Sequence, residues 1–141
     1  MNEDALRRRL ASLGALLFAL GMVTGLWAGL VLSDKVKVAM PHLALASHLN
    51  ALLGCFWLLG LSYTLPMLSY GDAGKKRLAV LTLIPSYGNW LVTLLASVLG
   101  ARGLEFTGNG SNDLIAVLLQ VVVVIPTLVA SGAWVWGFRA R

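Results

Sequence analysis

The chain has 141 residues, of which 58% are apolar and 12% carry an acidic or basic side chain, and its net charge is +5. Water-soluble domains carry about 25% charged residues, so this composition excludes a soluble enzyme. The single cysteine, Cys55, also excludes a disulfide framework and a metal site built from paired thiols. The length leaves room for one domain.

Four segments contain no Asp, Glu, Lys or Arg, and each is long enough to span a bilayer, which takes about 20 apolar residues. These segments are 10–33, 38–71, 78–101 and 114–138, with lengths of 24, 34, 24 and 25 residues. Within a single domain we therefore predict transmembrane helices at about 10–33, 40–69, 78–100 and 114–138. Short connections make successive helices antiparallel. The predicted fold class is all-α, an integral membrane four-helix up-down bundle.

The basic residues lie at the ends of these predicted helices, and most of them lie on one side of the membrane. The crowded side holds Arg7, Arg8, Arg9, Lys75, Lys76, Arg77, Arg139 and Arg141, whereas the other side holds Lys35, Lys37 and Arg102. Loops rich in Lys and Arg tend to stay in the cytoplasm. We therefore expect both termini in the cytoplasm, a multi-pass position in the cell inner membrane, and no nucleic-acid partner.

Neutral polar side chains interrupt the apolar helices, and they are the candidates for a functional site because unpartnered polar groups are costly in hydrocarbon. The second helix contributes His42, Ser47, His48 and Asn50; the third contributes Ser86, Tyr87, Asn89, Thr93 and Ser97; the fourth contributes Gln120. A rise of 1.5 Å per residue places His48 roughly 13 Å below the outer face. The same rise places Asn89 roughly 16 Å, and Thr93 and Gln120 roughly 10 Å, below it. These four side chains are predicted to share one layer.

Two interpretations of this polar layer stay open. Ser, Thr, Asn and His commonly hydrogen-bond between transmembrane helices without a further role. The first helix carries Gly21, Gly25 and Gly29 at four-residue spacing, which also favours plain helix packing. The alternative is a binding pocket, whose interior Trp57 and Trp90 would line.

A lone histidine deep in a membrane protein has few chemical uses. Neutral imidazole is the usual axial ligand of haem iron, and a single such ligand leaves the opposite position open for a substrate. His42 and His48 lie about 600° apart around the helix, so they cannot ligate one metal together. A bis-histidine carrier within one chain is therefore disfavoured. Proton transport is disfavoured because no Asp or Glu lies within the spans.

Three segments resemble one known family. They are ALASHLNALLG at 44–54, YGNWLVTLLA at 87–96 and RGLEFTG at 102–108. Their sequences and order are similar to those of the hydroxylaminobenzene mutase and styrene oxide isomerase family, whose members are small integral-membrane isomerases. The resemblance implies haem b as cofactor, His48 as its axial ligand, and a homotrimer with haem held between subunits. Gly54 stands where the family often has asparagine and Thr93 where epoxide isomerases have tyrosine, which favours the mutase branch.

The expected function is a haem-b-dependent membrane isomerase acting on a small aromatic substrate. It would convert N-aryl hydroxylamines to 2-aminophenols, with iron acting as a Lewis acid and no net redox change. The site residues assigned in this way are His48 for the metal, Trp57 and Trp90 around the cofactor, and Asn50, Asn89 and Thr93 at the substrate. The alternatives are an aryl-epoxide isomerase, a b-haem electron carrier and a non-catalytic membrane assembly subunit.

Overall fold

A computed structural model describes residues 2–139, and this part of the chain is helical without any strand. The elements are α1 (Glu3–Leu32), α2 (Pro41–Thr64, continued by a 3-10 turn at Leu65–Met67), α3 (Asp72–Leu99), α4 (Gly110–Leu118), a π-helical turn (Leu119–Val124) and α5 (Ile125–Gly137). The last three form one continuous fourth span, Gly110–Gly137. All four spans are long and apolar enough to cross a membrane. The predicted all-α class with four membrane helices is confirmed.

Hydrogen bonds between helix ends show that the four spans alternate in direction. At one end the Arg7 side chain donates to the Ser62 carbonyl (3.2 Å), and the Ser69 N–H donates to the Gly137 carbonyl (2.7 Å). At the other end the Met40 N–H donates to the Ser97 carbonyl at 3.1 Å. We call the first of these the basic end and the second the loop end. Successive helices are therefore antiparallel neighbours.

Three helical spans begin earlier than the apolar runs suggested. α1 starts at Glu3 rather than near residue 10, α3 at Asp72 rather than near residue 78, and the fourth span at Gly110 rather than near residue 114. The side chain of Asn2 accepts a hydrogen bond from the Ala5 N–H (2.9 Å), which caps α1. Acidic residues in a first turn also suit the positive end of the helix dipole. Hydropathy marks only the part of a helix inside the bilayer, so it misses polar first turns.

Close approach of backbones sets the packing of α1 on α2. A Cβ atom added at Gly21 would lie 2.9 Å from Ala51 Cβ, and one added at Gly14 would lie 3.4 Å from the Cys55 carbonyl oxygen. Glycine at such positions lets two membrane helices approach closely. Gly29, the third member of the stripe, faces open space instead. The stripe is thus an α1–α2 contact over only part of its length.

The fourth span packs on α3 and makes no more than marginal contact with α1 among the described residues. Its π-helical turn comes just before Pro126, and the Ile125 N–H donates to the Gln120 carbonyl five residues back. Proline removes one backbone hydrogen-bond donor. The wider π-helical turn provides hydrogen-bond partners for some of the neighbouring backbone groups. α3 continues through its own Pro85 as one helix. The irregular turn lies opposite Gly88, whose missing Cβ would lie 2.6 Å from Val122 Cγ1.

Replacing Gly88 with alanine is expected to destabilise the protein by about 1–3 kcal/mol, because the added methyl group overpacks the contact with Val122. Val122 is branched at Cβ and has little rotamer freedom with which to yield. The measurement is thermal or denaturant unfolding in detergent, followed by circular dichroism. Gly132→Ala is the matched control, since a Cβ there meets nothing within 4 Å. A Gly88 variant as stable as the Gly132 variant would contradict this packing.

Candidate functional site

His48 is half-buried on α2, and its Nδ1 atom lies 2.7 Å from the carbonyl oxygen of Gly21 on α1. A carbonyl can only accept a hydrogen bond, so Nδ1 carries the proton and donates it. In the neutral ring Nε2 then keeps its lone pair. Nε2 has no hydrogen-bond partner within residues 2–139. The fold therefore presents an imidazole nitrogen that is free to bind a metal.

Glycine at position 25 makes room for the imidazole ring against α1. A Cβ added there would lie 2.7 Å from both Cε1 and Nδ1 of His48. No other residue type leaves this space, because a contact below about 3 Å forces one group to move. The glycine stripe in α1 therefore supplies both the hydrogen-bond acceptor, at Gly21, and the space for the ring, at Gly25.

A second polar group joins α2 to α3 at Asn50, Asn89 and Thr93. The Asn50 amide nitrogen donates to Asn89 Oδ1 (3.1 Å) and to Thr93 Oγ1 (3.0 Å). The Thr93 hydroxyl also lies 3.4 Å from Asn89 Oδ1 and donates to it. These contacts occupy the oxygen of the Asn89 amide and leave its nitrogen, with two N–H donors, without a partner among the described residues. Asn50 thus fixes the orientation of a neutral hydrogen-bond donor in the membrane interior.

The two polar groups lie on different flanks of α2. His48 and Asn50 are two residues apart, which is about 200° around a helix, and they contact α1 and α3 respectively. The structure therefore brings Asn50, Asn89 and Thr93 together but places His48 on the opposite side of α2. Gln120, the remaining member of the predicted layer, is exposed on the fourth span and has no side-chain hydrogen bond within residues 2–139.

The two interior tryptophans have separate surroundings. The Trp90 indole N–H donates to Thr24 Oγ1 (2.9 Å), and the Thr24 hydroxyl donates to the Leu20 carbonyl (2.8 Å). Trp90 also lines a groove of 510 Å³ between α1 and α3. Trp57 packs against the leucine core around Leu58. Trp90 therefore reaches α1 at Thr24, directly beside Gly25, on a face turned about 100° from the one that His48 contacts.

Sequence reasoning missed the α1 partners of the site. Thr24 binds the Trp90 indole, and Gly21 accepts from His48 through its backbone. The only available signal was a threonine placed within a run of regularly spaced glycines. A backbone acceptor leaves no trace in the side-chain pattern, so the contact with Gly21 had no sequence signal of its own.

The loop between α3 and α4 is ordered by side chains at the start of α4. The Asp113 carboxylate accepts from the N–H groups of Thr107 (2.8 Å) and Gly108 (3.1 Å). The Asn112 side chain accepts from the Gly103 N–H (3.0 Å). Gly103 has a positive φ of 64°, a conformation that favours glycine. The segment 102–108 thus has a defined shape at the loop end.

His48 alone can contribute one ligand to a metal whose other ligands come from a cofactor. No group of three or more His, Cys, Asp or Glu side chains that could hold a bare metal ion occurs within residues 2–139. A single imidazole with a free Nε2 suits haem iron, whose macrocycle provides the four equatorial ligands. A backbone carbonyl that receives the other ring N–H is the usual support of a metal-binding histidine. The residues around His48 therefore fit the role of an axial haem ligand.

Comparison with known proteins places this four-helix membrane fold in a defined class. A family model described as styrene oxide isomerase matches residues 6–139, and the chain belongs to this family. The chain is also 32% identical over 146 residues to hydroxylaminobenzene mutase HabB of Ectopseudomonas oleovorans, an alignment that covers 99% of the chain and 85% of that relative. Both names describe intramolecular rearrangements, which supports an isomerase activity in general for this multi-pass membrane protein.

Proposed function

We propose that this chain is a haem-b-dependent isomerase that converts N-aryl hydroxylamines to 2-aminophenols, as the name of its mutase relative suggests. The observation that carries the proposal is the imidazole of His48, with Nδ1–H donated to Gly21 and Nε2 free. The reaction moves a hydroxyl group from nitrogen to the ortho carbon of the ring. Substrate and product are isomers, so no oxidant or reductant is consumed.

Each part of the chain has a separate role in this proposal. His48 would hold haem through Nε2, and bound haem iron would supply Lewis-acid polarisation of the substrate N–O bond. The Gly21 carbonyl fixes the tautomer and orientation of the ring. The Asn89 amide nitrogen would donate to the substrate oxygen without adding a charge, and Asn50 holds that amide in place. The apolar helices would exclude water from a cationic intermediate.

We propose that the protein is a homotrimer in the cell inner membrane. Both termini of each protomer would lie in the cytoplasm. His48 and the Asn50–Asn89–Thr93 group lie on different flanks of α2 within one chain. A site that uses both would therefore take His48 from one protomer and the asparagines from its neighbour. The fourth span has exposed surface that could form such contacts. Only 17% of its most apolar 18-residue segment is buried, against 39% of the corresponding segment of α3.

A second candidate is an aryl-epoxide isomerase, because the family model that matches the chain is described as styrene oxide isomerase. Polarisation of a benzylic C–O bond followed by a hydride shift would give an aldehyde from the same kind of site. Thr93 is the discriminating position, since the epoxide isomerases that the sequence resembles have tyrosine there. Threonine lacks the phenol that those epoxide isomerases have at this position, and we expect this difference to favour the mutase reaction.

The experiment that tests the proposal combines a spectrum with two turnover assays. The purified protein should show a Soret band, and it should convert hydroxylaminobenzene to 2-aminophenol without an added electron donor. Styrene oxide should be a poorer substrate. Preferred turnover of styrene oxide would support the second candidate. A Soret band without turnover of either compound would indicate an electron carrier, and the absence of haem after reconstitution with hemin would overturn the assignment of His48.

Asn89→Leu is expected to keep fold and haem but to lower the rate about ten- to a hundred-fold, because a lost hydrogen bond in a dry site costs about 1–3 kcal/mol. The measurement is turnover per haem, which separates a loss of activity from a loss of cofactor. Gln120→Leu is the control, since it also replaces a side-chain amide with leucine, but at an exposed position with no side-chain partner among the described residues. Equal rates for the Asn89 variant and the wild type would show that Asn89 only holds the helices together.

A further inference from the structure

A separate groove runs between α1 and α3 at the basic end of the molecule, with a volume of 270 Å³. Its walls are apolar and are formed by Leu6, Leu10, Leu13, Ala79, Val80 and Leu83. The two remaining lining residues, Arg9 and Lys76, are cations. This groove has no part in the proposed reaction, because His48 belongs to α2 and contacts the flank of α1 that faces α2.

The groove crosses from the water boundary into the hydrocarbon. Arg9 is the last charged residue before the apolar run of α1, and Lys76 lies one residue before Arg77, the corresponding position in α3. Leu83 lies seven residues beyond Lys76, roughly 10 Å further along the helix. There the Tyr87 hydroxyl donates to the Leu13 carbonyl (2.7 Å) and ties the two helices together. The groove thus has a cationic mouth and apolar walls, and a hydrogen bond joins the two helices near its inner end.

The two cations at the mouth have no acidic partners. Arg9 and Lys76 are exposed, and neither forms an ion pair within residues 2–139. Two of the nearby carboxylates form ion pairs with other residues: Glu3 pairs with Lys75, and Asp4 pairs with Arg7 at 3.6 Å. Asp72 precedes Lys76 by one helical turn and lines a neighbouring pocket together with it, but the two form no ion pair in the described structure.

We propose that this groove binds an anionic phospholipid such as phosphatidylglycerol. One acyl chain would lie along the leucines, and the headgroup phosphate would lie between Arg9 and Lys76. The apolar walls reach the depth of lipid tails, and the unpaired cations lie at the depth of lipid phosphates. A zwitterionic lipid would gain less from the two cations, and free phosphate would gain nothing from the walls.

The test measures lipid binding to the full chain in detergent by native mass spectrometry, with phosphatidylglycerol and phosphatidylcholine of the same acyl chains at equal concentration. We expect the wild type to retain phosphatidylglycerol in preference. The double variant Arg9→Gln/Lys76→Gln should bind phosphatidylglycerol about thirty-fold more weakly, since each cation near an anionic lipid strengthens binding about five-fold. Glycerol phosphate, which has no acyl chains, should not compete.

The matched control is Lys35→Gln/Lys37→Gln, which removes the same charge from two exposed lysines at the loop end. This control should bind phosphatidylglycerol as the wild type does. Equal retention of the two lipids by the wild type, or an equal loss in both double variants, would overturn the proposal. A change in oligomer size in the Arg9/Lys76 variant, with lipid binding unaltered, would show that a second copy covers the groove and would also overturn it.

Discussion

His48→Ala is expected to abolish haem binding and isomerase turnover, so the Soret band should fall to background in the purified variant. The imidazole Nε2 is the candidate axial nitrogen that the fold leaves free, and alanine offers no replacement ligand. The fold should survive, because the change removes one hydrogen bond to the Gly21 carbonyl, worth about 1 kcal/mol. The measurement is the ratio of Soret to protein absorbance, with circular dichroism as the check on folding.

His42→Ala is the control for this experiment. His42 is exposed near the start of α2, next to Pro41, and has no hydrogen bond in the described part of the chain. The control variant should keep both its haem and its rate. A full Soret band in the His48 variant would refute the assignment. Loss of haem in both variants would contradict the claim that one histidine suffices.

Gly25→Ala is expected to weaken haem binding strongly although residue 25 offers no ligand of its own. The new Cβ would lie 2.7 Å from Cε1 and Nδ1 of His48, so the ring must move away from α1. Movement breaks the hydrogen bond between Nδ1–H and the Gly21 carbonyl, and the loss of such a supporting contact lowers metal affinity about 10–100-fold. The measurement is hemin titration of the apoprotein, followed at the Soret band.

Gly29→Ala is the matched control, since it makes the same substitution one helical turn further along α1, where a Cβ meets nothing within 4 Å. Its hemin affinity should equal that of the wild type, and its helix should be slightly more stable because alanine is the better helix former. A Gly25 variant that binds hemin as tightly as the Gly29 variant would show that the ring does not depend on its contact with α1.

The number of spans, their order and their alternation could be predicted from the sequence. A helix that spans a bilayer needs about 20 apolar residues and tolerates few charges inside the membrane. The four charge-free runs therefore determine the number and order of the spans. The helix starts at Glu3 and Asp72 were missed because polar first turns form outside the hydrocarbon. The grouping of Asn89 with Thr93 on one face of α3 also followed from helical spacing.

The neighbour that each polar side chain meets was decided by the tertiary structure alone. The rise per residue predicts how deep a side chain lies in the membrane, but it does not predict which helix packs against a given helix face. His48 lies against α1 because Gly25 leaves space for the ring and Gly21 offers a carbonyl. Asn50 lies against α3 and binds Asn89. The tautomer of the imidazole, on which its use as a metal ligand depends, follows from a backbone contact that no pattern of side chains records.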